Sequence, residues 1–153
     1  MHLALNGKRA VVCGATSSVG LAIAIGLAGA GVEVVLNGRS QAAVDAALRA
    51  VREQLPKARI IGIALDLVTE GGARALIERV PHTDILVDTL GVGDALWRHY
   101  AVGMAARCWG QVILPADSAL PALAEVAVHG VPMGSPAEVA ARVVLLASCA
   151  QPG

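Results

Sequence analysis

Along residues 1–91 short apolar runs alternate with longer amphipathic stretches. The runs Ala10–Cys13, Val32–Leu36, Arg59–Leu65 and Ile85–Leu90 are rich in β-branched residues and carry few polar interruptions. That is how strands buried on both faces of a parallel sheet read. Between them, apolar positions recur at helical spacing. Leu21, Ile23, Ala24, Leu27 and Ala28 predict a helix over Val19–Ala30 that stops at Gly31. Val44, Ala47, Leu48 and Val51 predict another, from an N-cap at Ser40 to Leu55, with Pro56 beyond it. A third spans Thr69–Val80, with Ala73, Leu76, Ile77 and Val80 inward. Such βα alternation with short connections predicts an open parallel sheet covered by helices on both sides.

Past residue 91 the pattern thins. A helix over Asp94–Cys108 and a strand at Val112–Leu114 are predicted, and then Pro115, Pro121 and Pro132 interrupt the chain. Ser135-Pro136-Ala137-Glu138 is a strong helix start: serine as cap, proline where its missing N–H is harmless, glutamate reaching back to the cap. Val139, Val143, Leu146 and Ala147 then form one face of a last helix running to Ser148.

Composition narrows the class. Of the 153 residues, 56% are apolar and only 16% charged, against about 25% charged in an ordinary soluble domain, which excludes intrinsic disorder. Twelve basic residues balance twelve acidic ones with no block of either sign, so no nucleic-acid partner and no anionic membrane surface is expected. Three cysteines, Cys13, Cys108 and Cys149, form no metal-ligand spacing and no disulfide framework; no metal is expected, and a reducing cytoplasm fits them. The uncharged stretch Ala10–Val32 has the length of a membrane span, but Thr16, Ser17, Ser18 and five glycines break it into strand, turn and helix.

The turn between the first strand and first helix reads Gly14-Ala15-Thr16-Ser17-Ser18-Val19-Gly20. One glycine permits the tight turn, the other permits close helix–strand packing, and the helix N-terminus presents N–H groups and partial positive charge to a pyrophosphate. The loop is similar to the T-G-x-x-x-G-x-G signature of the short-chain dehydrogenase/reductase family, with Cys13 in the threonine position and Ser18 in place of the middle glycine. The resemblance continues in Asn37-Gly38-Arg39-Ser40, in Asp66-Leu67, and in Asp84–Gly91 (DILVDTLG), which is like the family's D-I-L-V-N-N-A-G. It returns in Arg98-His99-Tyr100, in Gly110–Leu114 and in Ser135–Ser148.

This resemblance implies a doubly wound, Rossmann-like α/β fold, shortened, forming one dinucleotide-binding domain over residues 1–153, with 1–91 well matched and 92–153 abbreviated. The crevice is expected at the carboxyl ends of the first and fourth strands. By the same resemblance the cofactor-binding residues are Gly14, Thr16, Ser17, Ser18, Val19, Gly20, Asn37, Arg39, Ser40, Asp66, Leu67, Leu90 and Gly91. A cation at the end of strand two accommodates a 2′-phosphate, so Arg39 favours NADP(H) over NAD(H) unless it is only a solvated loop arginine. Asp66 either approaches the adenine or caps the next turn.

The family's chemistry uses a tyrosine as proton donor, with a lysine four residues later to lower the phenol's pKa from about 10. Tyr100 is the sole tyrosine, Met104 stands four residues on, and no lysine follows Lys57. Tyr100 aligns with a packing tyrosine of the family's fifth helix. The resemblance skips the stretches that would hold the relay asparagine, the Tyr/Lys pair, a long helix and the sixth strand. Ser118 is the nearest hydroxyl to the catalytic serine's place, although Ala116 is the closer positional match. Asp88 replaces an asparagine and, ionised, only accepts hydrogen bonds. His82, His99 and His129 with Ser118 and Asp117 do not make a hydrolase triad, because no G-x-S-x-G elbow exists.

Two readings follow: an NADP(H)-linked short-chain oxidoreductase, or a nucleotide-binding pseudoenzyme or interaction module that keeps the cofactor half and lacks the chemical half. A poorly folding remnant is a third. The missing cover over one sheet face, or over the helix Ser135–Ser148, predicts a homo-oligomer.

Overall fold

The computed structural model describes residues 5–91, 94–116, 126–132 and 134–149. The elements run β1 (Arg9–Cys13), α1 (Ser18–Gly29), β2 (Glu33–Gly38), α2 (Gln41–Gln54), β3 (Ile60–Ala64), α3 (Glu70–Arg79), β4 (Ile85–Asp88), α4 (Asp94–Ala106), β5 (Gln111–Pro115), β6 (Ala127–Val131) and α5 (Pro136–Ala147). All strands are parallel, in the order β3-β2-β1-β4-β5-β6. The order reverses direction between β1 and β4, so connections from the two halves leave the sheet in opposite senses and open a crevice there.

Side chains alternate across the strands and split the core in two. Ala10 and Val12 face α1, α2 and α5, in one cluster with Leu27, Val44 and Val143. Val11 and Cys13 face α3 and α4, in another with Leu76, Leu96 and Tyr100. Each fully buried leucine contributes about 1.5–3 kcal/mol. The membrane-like apolarity of α1 has its cause here: the helix packs on the sheet with α5 beside it on the same face, and a β-carbon at Gly26 would stand 3.1 Å from Val144 Cγ2. Among the described residues no helix is long and apolar enough to cross a membrane.

Strand β6 corrects the expectation that the sixth strand is missing. It pairs with β5 in register from Gln111↔Ala127 to Pro115↔Val131. Its sequence, AVHGV, holds a histidine and a glycine between prolines, so propensity and flanks both argued against a strand. Its edge position, bonded on one side to β5, tolerates that composition. Gln111 is fully buried and secures this margin: its Nε2 donates to the Cys149 carbonyl at 3.0 Å, and its Oε1 pairs with His129 Nε2 at 2.7 Å. The inward face of α5 is covered by α1, and its outer face leaves Leu145 64% exposed.

Two helices start by the same device. In β1–α1, Ser17 Oγ donates to the Gly14 carbonyl and accepts from Gly20 N–H, and a β-carbon on Gly20 would overlap that carbonyl oxygen. In β3–α3, Thr69 Oγ1 donates to the Asp66 carbonyl and accepts from Gly72 N–H, and a β-carbon on Gly72 would overlap that carbonyl in turn. Backbone oxygens cannot move aside as side chains do. Gly20→Val should therefore lower stability by at least about 2 kcal/mol in urea denaturation. Gly71→Ala, one residue before Gly72 and with open space around it, should instead stabilise α3 by about 0.5–1 kcal/mol.

Candidate cofactor-binding site

The carboxyl ends of β1, β2 and β3 and the turn after β4 enclose a cavity of about 140 Å³. Gly14, Thr16, Ser17, Asn37, Gly38, Arg39, Leu65, Asp66, Leu67, Val68 and Leu90 line it. The structure thus brings together eight of the thirteen residues named from the sequence. Its floor is the β1–α1 turn. Gly14 has φ +69°, a left-handed conformation natural to glycine. Helix α1 makes its first intrahelical bond from Leu21 N–H to the Ser17 carbonyl, which leaves the N–H groups of Ser18 and Val19 without an acceptor in the helix. Those groups and the helix dipole favour an anion at this end.

The other named residues divide by role. Ser18 is exposed at the helix start, and Val19 packs partly against the core. Gly20 supplies the close approach described above. Asn37 is buried and its amide is engaged: Nδ2 donates to the carbonyls of Ile63 at 3.2 Å and Leu65 at 3.1 Å, so it ties β2 to β3 and is no free donor for a ligand. Ser40 is a cap, accepting from Ala43 N–H, and lies outside the cavity lining, as do Ser18, Val19, Gly20 and Gly91. Ser118 lies outside the described residues.

Of the two roles considered for Asp66, the structure shows the turn cap, with the second carboxylate oxygen directed to Arg39. Oδ1 accepts from Val68 N–H at 3.1 Å and shapes the turn, while Oδ2 faces Arg39 Nη2 at 4.0 Å. The Arg39 side chain is 80% exposed, and a pair this open and long contributes little to stability, so the guanidinium is held loosely at the crevice mouth. Thr16 reaches across to the end of β2, where a β-carbon on Gly38 would overlap its methyl group. Gly38, Leu65 and Val68 also line the cavity but were not among the residues named from the sequence: Gly38 was only part of the resembling stretch Asn37–Ser40, Leu65 the end of a predicted strand, and the exposed Val68 belonged to no periodic face.

Asp88 Oδ1 receives N–H bonds from Leu90 and Gly91, each 3.1 Å. Buried beside it, the Cys13 thiol is pushed well above its usual range, by desolvation first and the Asp88 charge second, so it is no nucleophile. Tyr100 is buried in α4, its hydroxyl donating to the Val80 carbonyl at 2.7 Å, and burial raises its pKa beyond that of a free phenol. It is a packing residue, as its alignment implied. A larger concavity of about 520 Å³ lies against α5, lined by Pro132, Glu138, Arg142 and Leu145 among others, away from the crevice. No group of three or more potential metal ligands occurs among the described residues.

The family profile described as short chain dehydrogenase matches residues 8–113. The chain belongs to the short-chain dehydrogenase family. Over 92 residues it is 41% identical to the uncharacterized oxidoreductase YvaG of Bacillus subtilis (strain 168), a match covering 60% of this chain and 35% of YvaG. Over 91 residues it is 37% identical to gluconate 5-dehydrogenase of Gluconobacter oxydans (strain 621H), covering 58% and 35%. The chain thus spans little more than a third of the length of these relatives. Among solved structures, L-sorbose reductase of Gluconobacter frateurii, complexed with NADPH and L-sorbose, superposes with a TM-score of 0.68 at 29% identity, over 76% of this chain and 54% of that one. A metagenomic short-chain oxidoreductase in complex with NADP shares the fold over 95% of this chain and 92% of that one, with a TM-score of 0.77 at 23% identity.

Crevice and Tyr100 are separate in this short-chain dehydrogenase domain. Tyr100→Phe removes one buried hydrogen bond and strands the Val80 carbonyl, which should cost about 1 kcal/mol in urea denaturation. Dinucleotide affinity and any NADPH oxidation should stay unchanged. A steep loss of turnover in that variant would give Tyr100 a chemical role.

Proposed function

We propose that this chain binds NADP(H) by its 2′-phosphorylated adenosine half. The observation that carries the proposal is the juxtaposition at one crevice of the left-handed Gly14 turn, the open N-terminus of α1 and the exposed Arg39 guanidinium. The cradle fits the group. Gly14 turns the chain in the left-handed conformation, the lack of a β-carbon on Gly20 lets α1 start close over that turn, the α1 N-terminus favours the charge of a pyrophosphate, and Arg39 is a charge partner for a 2′-phosphate. The NADPH and NADP complexes of the two structural relatives support the same cofactor class.

When bound, the cofactor supplies hydride chemistry at its nicotinamide. This chain's residues bind and orient the other end. Proton transfer by a Tyr/Lys pair is not available to it, because its sole tyrosine is committed to Val80 and its sequence has no lysine beyond Lys57. That commitment favours a cofactor-binding module, catalytically inactive by the family's mechanism, over a self-sufficient oxidoreductase. We also propose a homo-oligomer that covers the outer face of α5, where Leu145 is open; a clean monomer by sedimentation at micromolar concentration would refute this.

Cofactor choice tests the main proposal. A charge-assisted bond from Arg39 to the 2′-phosphate contributes about 1.5–3 kcal/mol, so NADPH should bind at least about tenfold tighter than NADH in a fluorescence titration. Arg39→Ala should abolish the difference and leave NADH nearly unaffected. Equal affinities in the unaltered chain would remove Arg39 from the site, and no binding of either cofactor at millimolar concentration would overturn the function.

A further inference from the structure

We infer that Leu90 occupies the dinucleotide's seat and is the residue that sets cofactor affinity in this chain. The inference rests on the proposed function and deepens it. The space that Gly14 leaves by lacking a β-carbon is filled: Leu90 Cγ, Cδ1 and Cδ2 lie 2.9, 3.1 and 3.1 Å from where that carbon would stand. The branch carbon and both methyl groups of the side chain therefore sit against the glycine backbone, in the place a ligand must enter to reach it.

The position of Leu90 is imposed by its turn. The N–H groups of Leu90 and Gly91 are both held by Asp88 Oδ1, and Gly91 turns the chain at φ +68°. The turn aims the side chain back over β1 and leaves it 49% exposed, on the crevice side. The volume agrees with an occupied seat. Ligand pockets usually measure about 300–1,000 Å³, and this one measures about 140 Å³ although it has the anion-favouring end and the cation at its mouth. A leucine gains little from this half-exposed packing, so it can swing aside, but every binding event must first displace it.

Three carbons separate leucine from alanine, and their removal opens the space above Gly14 while leaving the turn's backbone bonds in place. The test is a fluorescence titration of the full chain with NADPH and with NADH, with ligand-induced thermal stabilisation as a second readout. Leu90→Ala should bind both cofactors about tenfold tighter than the unaltered chain, because the obstruction lies at the shared glycine turn and not at the 2′-phosphate. Leu90→Val, one carbon shorter than leucine, should fall between. Val102→Ala, exposed on α4 and outside the cavity lining, should leave both affinities unchanged. Because Leu90 is half exposed, the unliganded melting temperatures should match within a few degrees. Binding that is unchanged or weaker in Leu90→Ala, with measurable binding in the unaltered chain, would overturn the inference and leave the proposed function standing. Absence of binding in every variant would overturn both.

Discussion

The contact between the third residue of α1 and the carbonyl six residues before it governs the geometry of the crevice. Gly20 can approach the Gly14 oxygen only because it has no β-carbon, and Ser17 locks the approach from both sides, donating to that oxygen and accepting from the glycine N–H. Helix α1 consequently begins close to the end of β1, with its body packed on the sheet. The same constraint recurs at Asp66, Thr69 and Gly72, where it brings the Asp66 carboxylate to the crevice opposite Arg39. Floor and wall of the site are thus made by one steric device used twice.

Packing supports that device from behind. Gly26 lets α5 lie close against α1, which holds the helix at a fixed distance from the strands, and Gln111 anchors the end of α5 to the outer part of the sheet. On the opposite face Tyr100 and His99 bind the carbonyls of Val80 and Pro81, joining α4 to the loop before β4. The single tyrosine serves this joint. The division is physical: groups that the crevice needs are backbone N–H groups and an exposed cation, whereas the buried polar side chains Asn37, Gln111 and Tyr100 are occupied in holding elements together.

Much of this was legible in the residues themselves. Strands buried on both faces leave continuous β-branched runs, and caps such as Ser40, Thr69 and Ser135 mark helix starts through side chains that must accept a backbone N–H, so ten of the eleven elements could be placed. Strand β6 could not, since its pairing with β5 is a long-range contact that outweighs the poor propensity of His129 and Gly130. In the crevice, sequence spacing located the glycine turn, Arg39 and Asp66. It did not reveal that the Asn37 amide is spent on β3 carbonyls, or that Leu90 lies over Gly14, because both depend on where a turn aims one side chain.

The central claim is that a dinucleotide's adenosine half binds at the joint ends of β1, β2 and β3. Amide chemical-shift mapping of the labelled chain during titration with adenosine 2′,5′-bisphosphate, which has no nicotinamide, tests it most directly. The account predicts shifts concentrated at Ser17–Gly20, Gly38–Ser40 and Asp66–Val68, with α5 unaffected. Shifts confined to the α5 concavity, or none at millimolar ligand, would contradict it.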